Sequence, residues 1–247
     1  MPGPIAPSQA GRFLSAEWRT LVMLNWEVDP DLLRPLVPRG TELDAWQGKT
    51  FVSAVGFLFL DTRLMGLPVP FHRNFEEVNL RFYVRREGGG EVRRAVTFVR
   101  EIVPRLAIAS IARWVYNEAY VAYPMRHGRN VSETIGGSAE YGWRRGGRWE
   151  SLRATFSGAP RPLETGSVEE FITEHYWGYT AQRDGGTIEY RVEHPSWRVW
   201  RADEAALDAD VAALYGPQFA APLAAPPSSA FVADGSPVIV RRAVRIA

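Results

Sequence analysis

The stretch EVNLRFYV, residues 77–84, alternates polar and apolar side chains without interruption. Successive side chains of a β-strand point to opposite faces of a sheet, so this pattern predicts a strand. Its apolar face carries four residues: Val78, Leu80, Phe82 and Val84. Its polar face carries four others: Glu77, Asn79, Arg81 and Tyr83. Gly88-Gly89-Gly90 then predicts a turn into a second strand, Val92–Ile102, and so a long antiparallel hairpin.

Further segments extend this hairpin into a β-dominated fold. Runs rich in β-branched and aromatic residues predict more strands: Thr20–Val28, Leu43–Trp46, Thr50–Leu60, Ala139–Trp143, Trp149–Phe156, Tyr176–Gln182, Thr187–Val192 and Val238–Val244. Caps and apolar spacing predict four helices: Asp29–Pro38, Pro104–Tyr116, Ser167–Glu174 and Ala202–Leu214. Many antiparallel hairpins with a few short inserted helices predict an α+β, β-dominated domain that closes as a β-barrel.

Length and composition predict an ordinary globular protein. We expect a flexible N-terminal tail over residues 1–11, and one domain over residues 12–247. The formal net charge of +1 provides no field that would recruit nucleic acid, and no apolar run approaches the ~20 residues of a membrane-spanning helix. The N-terminus lacks the pattern of a signal peptide, and the chain has no cysteine. We therefore expect a cytoplasmic protein, with neither nucleic acid nor membrane as a partner.

Lys49, in Gly48-Lys49-Thr50, is the only lysine of the chain and allows three interpretations. A phosphate-binding P-loop needs glycine five residues before Gly48, where Leu43 stands, and a helix afterwards, where β-prone residues follow. That interpretation fails. A Schiff-base nucleophile and a hairpin turn around Gln47-Gly48 remain.

The polar face of residues 77–84 is the strongest candidate for a functional site. Alternation alone leaves two interpretations open, the wet face of an antiparallel sheet and the lining of a cavity. In the second, Arg81 would pair with an anionic ligand group and Glu77 would act as acid or base in any reaction. His194 and Trp197, beside Pro195, would form a pocket wall. The four histidines show no metal-binding spacing, so we expect no metal and no cofactor.

Four segments, in this order, resemble the YqjF-like family of uncharacterised proteins: LNWEVDPDLLRPLVPRGTELDAWQGKTFVSAVGF (24–57), FEEVNLRFYVR (75–85), IARWVYNEAYVAYPM (111–125) and EHYWGYTAQRDGGTIEYRVEHPSW (174–197). The resemblance spans nearly the whole domain. It implies the acetoacetate decarboxylase-like fold, an antiparallel cone-shaped β-barrel around a central pocket.

The same resemblance bears on chemistry. In acetoacetate decarboxylases a lysine attacks the substrate ketone, and a neighbouring lysine lowers its pKa. The matching segment here places Tyr120 at the nucleophile's position and Val121 at its neighbour's, with Arg113 in the preceding part. The resemblance therefore implies a pocket that works without Schiff-base chemistry, and argues against decarboxylation of acetoacetate.

Two hypotheses follow. The first is a barrel that binds, and in one version transforms, a small polar or anionic organic molecule. Its predicted ligand-binding residues are Glu77, Asn79, Arg81, Arg113, Tyr120 and His194. The second is a non-catalytic structural or interaction protein, an obligate dimer in one version, whose barrel is filled with side chains. A homo-oligomer is compatible with both.

Overall fold

A computed structural model of the chain describes residues 11–68, 73–88, 90–104 and 119–247. The strands in these ranges are β1 (Arg12–Val28), β2 (Glu42–Leu43), β3 (Thr50–Leu64), β4 (Leu67–Pro68), β5 (Phe75–Gly88), β6 (Glu91–Val103), β7 (Tyr120–Ala122), β8 (Met125–Ser132), β9 (Gly136–Arg145), β10 (Arg148–Ser157), β11 (Arg161–Pro162), β12 (Trp177–Ala181), β13 (Thr187–Glu193), β14 (Arg198–Asp208), β15 (Ser229–Arg241) and β16 (Val244–Arg245).

The helices of the described ranges are all short. They are α1 (Pro30–Leu33), α2 (Val168–Thr173), α3 (Val211–Tyr215) and α4 (Ala220–Ala224), with 3₁₀ turns at Arg34–Leu36 and Pro217–Phe219. None of these helices is long and apolar enough to cross a membrane. The predicted helix Pro104–Tyr116 falls almost entirely outside the described residues, as does most of the predicted tail. The fold is thus mostly β, as predicted.

All strands belong to one sheet with extensive antiparallel pairing. Hydrogen-bonded neighbours follow the order β16-β13-β12-β6-β5-β3-β1-β15-β14-β10-β9-β8. The strand β13 also pairs with β15, through Val192–Val240 and Glu193–Ile239. The order brings distant parts of the chain together. The strand β1 lies between β3 and β15, and its Asn25 is paired with Ser229.

The predicted hairpin of residues 77–102 is confirmed as β5 and β6, which pair from Gly88–Glu91 to Val78–Ile102. A bulge between Leu80 and Arg81 shifts the register by one residue. The pairs 139–156 and 176–192 are confirmed as β9–β10 and β12–β13.

Two predicted helix starts are confirmed by their caps. The Asp29 carboxylate accepts from the Asp31 amide at 2.9 Å, and Ser167 Oγ accepts from the Glu170 amide at 3.1 Å. These contacts satisfy amides that have no partner within the helix.

The predicted helix Ala202–Leu214 is wrong over most of its length. Residues up to Asp208 belong to β14, whose Ala205 and Leu207 pair with Ala154 and Leu152 of β10. Only Val211–Tyr215 is helical. Alanine favours helices by less than ~1 kcal/mol per residue, so pairing with a neighbouring strand overrides that preference.

The predicted turn at Gln47-Gly48 is confirmed, but the hairpin around it is not. Gln47 and Gly48 have φ values of 51° and 81°, and Trp46 and Lys49 exchange both backbone hydrogen bonds. Beyond this bridge β2 pairs with β5, matching Leu43 with Val84, instead of pairing with β3.

Both faces of β5 are buried. Leu80 and Phe82 belong to a core that also contains Tyr141, Trp143 and Leu152 of β9 and β10. On the opposite face three polar residues are almost inaccessible to solvent, Glu77 at 3%, Asn79 at 1% and Arg81 at 8%. This face is therefore not the wet face of a sheet.

Candidate functional site

A cavity of about 180 Å³ lies against the polar face of β5. Five of the six predicted ligand-binding residues line it: Glu77, Asn79, Arg81, Tyr120 and His194. Arg113 lies outside the described residues. Every predicted ligand-binding residue that the structure describes therefore lines one cavity. The role of these residues in binding stays a prediction.

Glu77 stands at the centre of a small hydrogen-bonded group. Its Oε1 accepts from Asn79 Nδ2 at 3.0 Å, and its Oε2 accepts from Tyr120 O–H at 3.4 Å. Asn79 is two residues along the same strand, whereas Tyr120 comes from β7, which pairs with β6. Both carboxyl oxygens of Glu77 are therefore engaged by neighbouring side chains.

Among the described residues, Arg81 is the one arginine that lines the cavity, and no lysine lines it. Its Nη2 donates to the carbonyl of Ile172 in α2 at 3.3 Å, and its guanidinium lies 5.8 Å from the centroid of the Tyr83 ring. No described residue accepts a hydrogen bond from its Nε, which is buried. A guanidinium has five N–H donors, so the described residues use only part of this hydrogen-bonding capacity.

His194 lies in an aromatic part of the cavity wall. Its ring stacks on Trp197 with centroids 4.2 Å apart, and Trp197 lies 6.3 Å from Trp18 of β1. Burial lowers the pKa of His194, although the carbonyl of Pro195 accepts a hydrogen bond from Nδ1 at 2.9 Å and opposes that shift. The imidazole is thus favoured in its neutral form.

Sequence reasoning missed His175, which also lines the cavity. Its Nε2 lies 3.4 Å from Asp44 Oδ2, and the Arg94 Nε donates to the same oxygen at 2.7 Å. The Tyr83 and Phe171 rings enclose the imidazole. Burial lowers the pKa of His175 to about 4, despite the nearby Asp44. No local pattern marks this residue, because its neighbours come from four separate segments.

Glu101, the second carboxyl of the cavity wall, was also missed. It lies opposite Asn79 in the β5–β6 pair. An unbroken register from the Gly88–Glu91 pair would match Asn79 with Arg100. The bulge between Leu80 and Arg81 shifts the pairing by one residue, so that Asn79 is matched with Glu101. Bulges add one residue to one strand, and the sequence contains no signal for this one.

Lys49 does not line this cavity. Its Nζ forms an ion pair with Glu27 at 2.8 Å, and about half of each side chain is exposed. Since the chain has no other lysine, the Schiff-base interpretation has no amine side chain in the cavity. Among the described residues no group of three or more His, Asp or Glu is arranged to hold a metal ion.

Comparison with known proteins identifies the family of this chain. A family model described as an uncharacterized conserved protein, DUF2071, matches residues 15–237. The chain belongs to the DUF2071 family. It is also 31% identical over 193 residues to the uncharacterized protein YqjF of Bacillus subtilis, covering 75% of this chain and 74% of YqjF. The resemblance to the YqjF-like family is thereby confirmed.

Solved structures similar to this DUF2071 chain have the acetoacetate decarboxylase-like fold. Acetoacetate decarboxylase from Legionella pneumophila has a TM-score of 0.66 at 14% identity, over all of this chain and 92% of that one. The enduracididine biosynthesis enzyme MppR, complexed with pyruvate, has a TM-score of 0.69 at 14% identity, over 99% and 96%. An acetoacetate decarboxylase-like enzyme from Sphingomonas wittichii has a TM-score of 0.63 at 15% identity, over both full lengths. These identities establish a shared fold and no shared activity.

Proposed function

We propose that this protein binds a small anionic organic molecule in the cavity, with Arg81 as its principal contact and without Schiff-base chemistry. Support for an enclosed site comes from the strand order, in which the pairing of β13 with both β12 and β15 links seven strands into a circuit. A circuit of paired strands is the arrangement expected of a barrel around a pocket.

The observation that carries the proposal is the state of Arg81. Its guanidinium is buried, yet its one hydrogen bond to a described residue goes to the carbonyl of Ile172. A buried charge is costly unless it is paired and hydrogen-bonded. A carboxylate matches the planar guanidinium fork, so an anionic ligand would satisfy donors that the described residues leave unused.

The contacts of Glu77 support the proposal in a second way. Asn79 and Tyr120 hold its two oxygens by hydrogen bonds, which fixes the carboxyl on the cavity wall. If the bound molecule reacts, this carboxyl is the acid or base. Among the similar structures, one enzyme is complexed with pyruvate, so small oxo-acids belong among the first molecules to test.

The competing hypothesis is a structural or interaction protein with a filled interior. The cavity of about 180 Å³ argues against it, since a cavity of about 150 Å³ already admits benzene. Burial of Trp197 needs no partner subunit, because the chain itself covers all but 4% of that side chain.

Calorimetric titration of acetate, pyruvate and benzoate into the protein at pH 7 tests the proposal. We expect at least one of these anions to bind, and Arg81→Met to weaken its binding at least tenfold, which is about 1.4 kcal/mol. Arg85→Met is the matched control, because Arg85 lies on the same strand but pairs with Glu42 at the surface. Unchanged affinity in Arg81→Met, or no binding of any anion to the wild type, would contradict the proposal.

A further inference from the structure

Part of the cavity wall is aromatic. Trp18 makes an edge contact with Phe57 at 5.2 Å and lies 5.7 Å from Phe59, measured between ring centroids. On its other side it approaches Trp197, which stacks on His194. All five residues line the cavity. The faces and edges of aromatic rings favour other rings at separations of about 4.5–7 Å, beyond the effect of buried area.

The polar groups of the cavity wall begin directly beside these rings, since Glu77 of β5 is paired with Phe57 of β3. Glu77, Asn79 and Arg81 alternate along one strand, and His175 follows α2. The positive charge of Arg81 contributes to the lowered pKa of both His175 and His194, after the larger effect of burial. Arg81 therefore lies within electrostatic reach of both the polar group and the edge of the aromatic wall.

These two features define the shape of a ligand. We propose that the natural ligand is a monocarboxylate that bears one aromatic ring, with its carboxylate on Arg81 and its ring against Trp18, Phe57 and Trp197. This inference rests on the proposed function and specifies its ligand class. A single ring with one carboxylate suits a cavity of about 180 Å³, since about 150 Å³ accommodates benzene.

A small aliphatic acid would use only half of this site. Acetate or pyruvate could pair with Arg81, but would leave the Trp18 wall without a partner. Burial of apolar surface provides much of the free energy of binding in apolar pockets, and aromatic contacts add to it. The ring should therefore increase affinity strongly while the carboxylate contact stays the same.

Competition between matched acids tests this inference. Titration of benzoate, acetate and pyruvate should give an affinity for benzoate at least tenfold higher than for the other two. Cyclohexanecarboxylate, which keeps the size and charge but lacks the aromatic faces, should bind more weakly than benzoate. Equal or tighter binding of acetate or pyruvate would overturn the ligand class and leave the proposed function standing. Equal binding of cyclohexanecarboxylate would overturn the aromatic requirement, and no binding of any acid would remove both proposals.

Variants of the wall locate the effect. In Phe57→Leu the preference for benzoate over acetate should shrink severalfold, whereas in Trp149→Leu it should persist, because Trp149 lies at the surface against Arg126. Phe59→Leu provides a second wall variant should Phe57→Leu lower the melting temperature too far for titration. A preference that is unchanged in both wall variants would contradict the assignment of the ring to this wall.

Discussion

On one face of β5, Leu80 and Phe82 pack against Tyr141 and Leu152 of the β9–β10 hairpin. On the other, Glu77 and Arg81 line a cavity. The two faces are equally hidden from solvent but are stabilised differently. The first gains from close contact between apolar side chains, whereas the second keeps polar groups away from water and holds them with hydrogen bonds such as that from Asn79 to Glu77.

This difference separates stability from function along a single strand. Apolar packing depends on filled volume, so truncation of a side chain on the first face should lower the free energy of unfolding. A buried polar group without a partner costs stability, so the arrangement of the second face is explained better by ligand binding than by folding. Substitutions of neighbouring residues on opposite faces can therefore test whether the separation is real.

The largest effect is expected for Leu80→Ala. Leu80 is completely buried, so truncation should lower the free energy of unfolding by about 2–5 kcal/mol. Asn79→Ala, one residue away, removes one hydrogen bond to Glu77 and should cost about 1 kcal/mol. Urea denaturation of both variants measures the contrast, and similar losses would show that the two faces do not differ as described.

A pH-dependent effect is expected from His175 on the cavity side. Burial holds its pKa at about 4, below its ordinary value of 6.5, so the unfolded chain takes up this proton first as the pH falls. The stability that neutral His175 provides is thus fully present above about pH 6.5 and is lost as the pH falls toward 4, by up to ~3 kcal/mol. Arg81 and Arg94 oppose protonation, whereas Asp44 favours it.

Chemical denaturation between pH 4 and pH 7 measures this dependence. His175→Gln should flatten the decline in the free energy of unfolding between pH 6.5 and pH 4. His127→Gln is the comparison variant, because it changes a histidine at the surface beside Glu76 and should retain the decline that His175 causes. A wild-type slope that persists in His175→Gln would assign the pH dependence to other groups.

A smaller loss is expected for Gly56→Ala on the apolar side. Gly56 of β3 pairs with Val78, and a methyl group there would lie 2.7 Å from Tyr141 Cδ2. The Tyr141 hydroxyl donates to the carbonyl of Thr20 at 2.7 Å, which restricts movement of the ring. We expect a loss of about 1–3 kcal/mol in unfolding free energy with unchanged anion binding, since overpacking strains the core and not the cavity. A loss of benzoate affinity at retained stability would show that the two faces are coupled.

The smallest effect is expected for Lys49→Ala, which belongs to neither face. Its ion pair with Glu27 is largely exposed, so the free energy of unfolding should change by less than about 0.5 kcal/mol. Anion binding should be unchanged. Incubation of the wild type with a ketone and borohydride, followed by mass mapping, should yield no adduct on Lys49. An adduct that forms on the wild type but not on Lys49→Ala would show that Lys49 forms a Schiff base.

Local patterns were sufficient for much of the secondary structure. The alternation of residues 77–84, the caps at Asp29 and Ser167 and the turn at Gln47-Gly48 each depend on residues a few positions apart. Ala202–Leu214 failed because its pairing partner in β10 is about 50 residues away in the sequence and outweighs alanine's preference for helices.

The sequence by itself determined that residues 77–84 form a strand with one polar face, and that the chain has a single lysine. Only the tertiary structure decided that the polar face is buried, because that face meets α2 and a cavity wall to which Trp18 and Trp197 contribute from distant parts of the chain. Only the tertiary structure placed Glu101 opposite Asn79, through a bulge, and His175 beside Asp44. A strand fixes which side chains share a face, whereas the packing of distant segments fixes what that face meets.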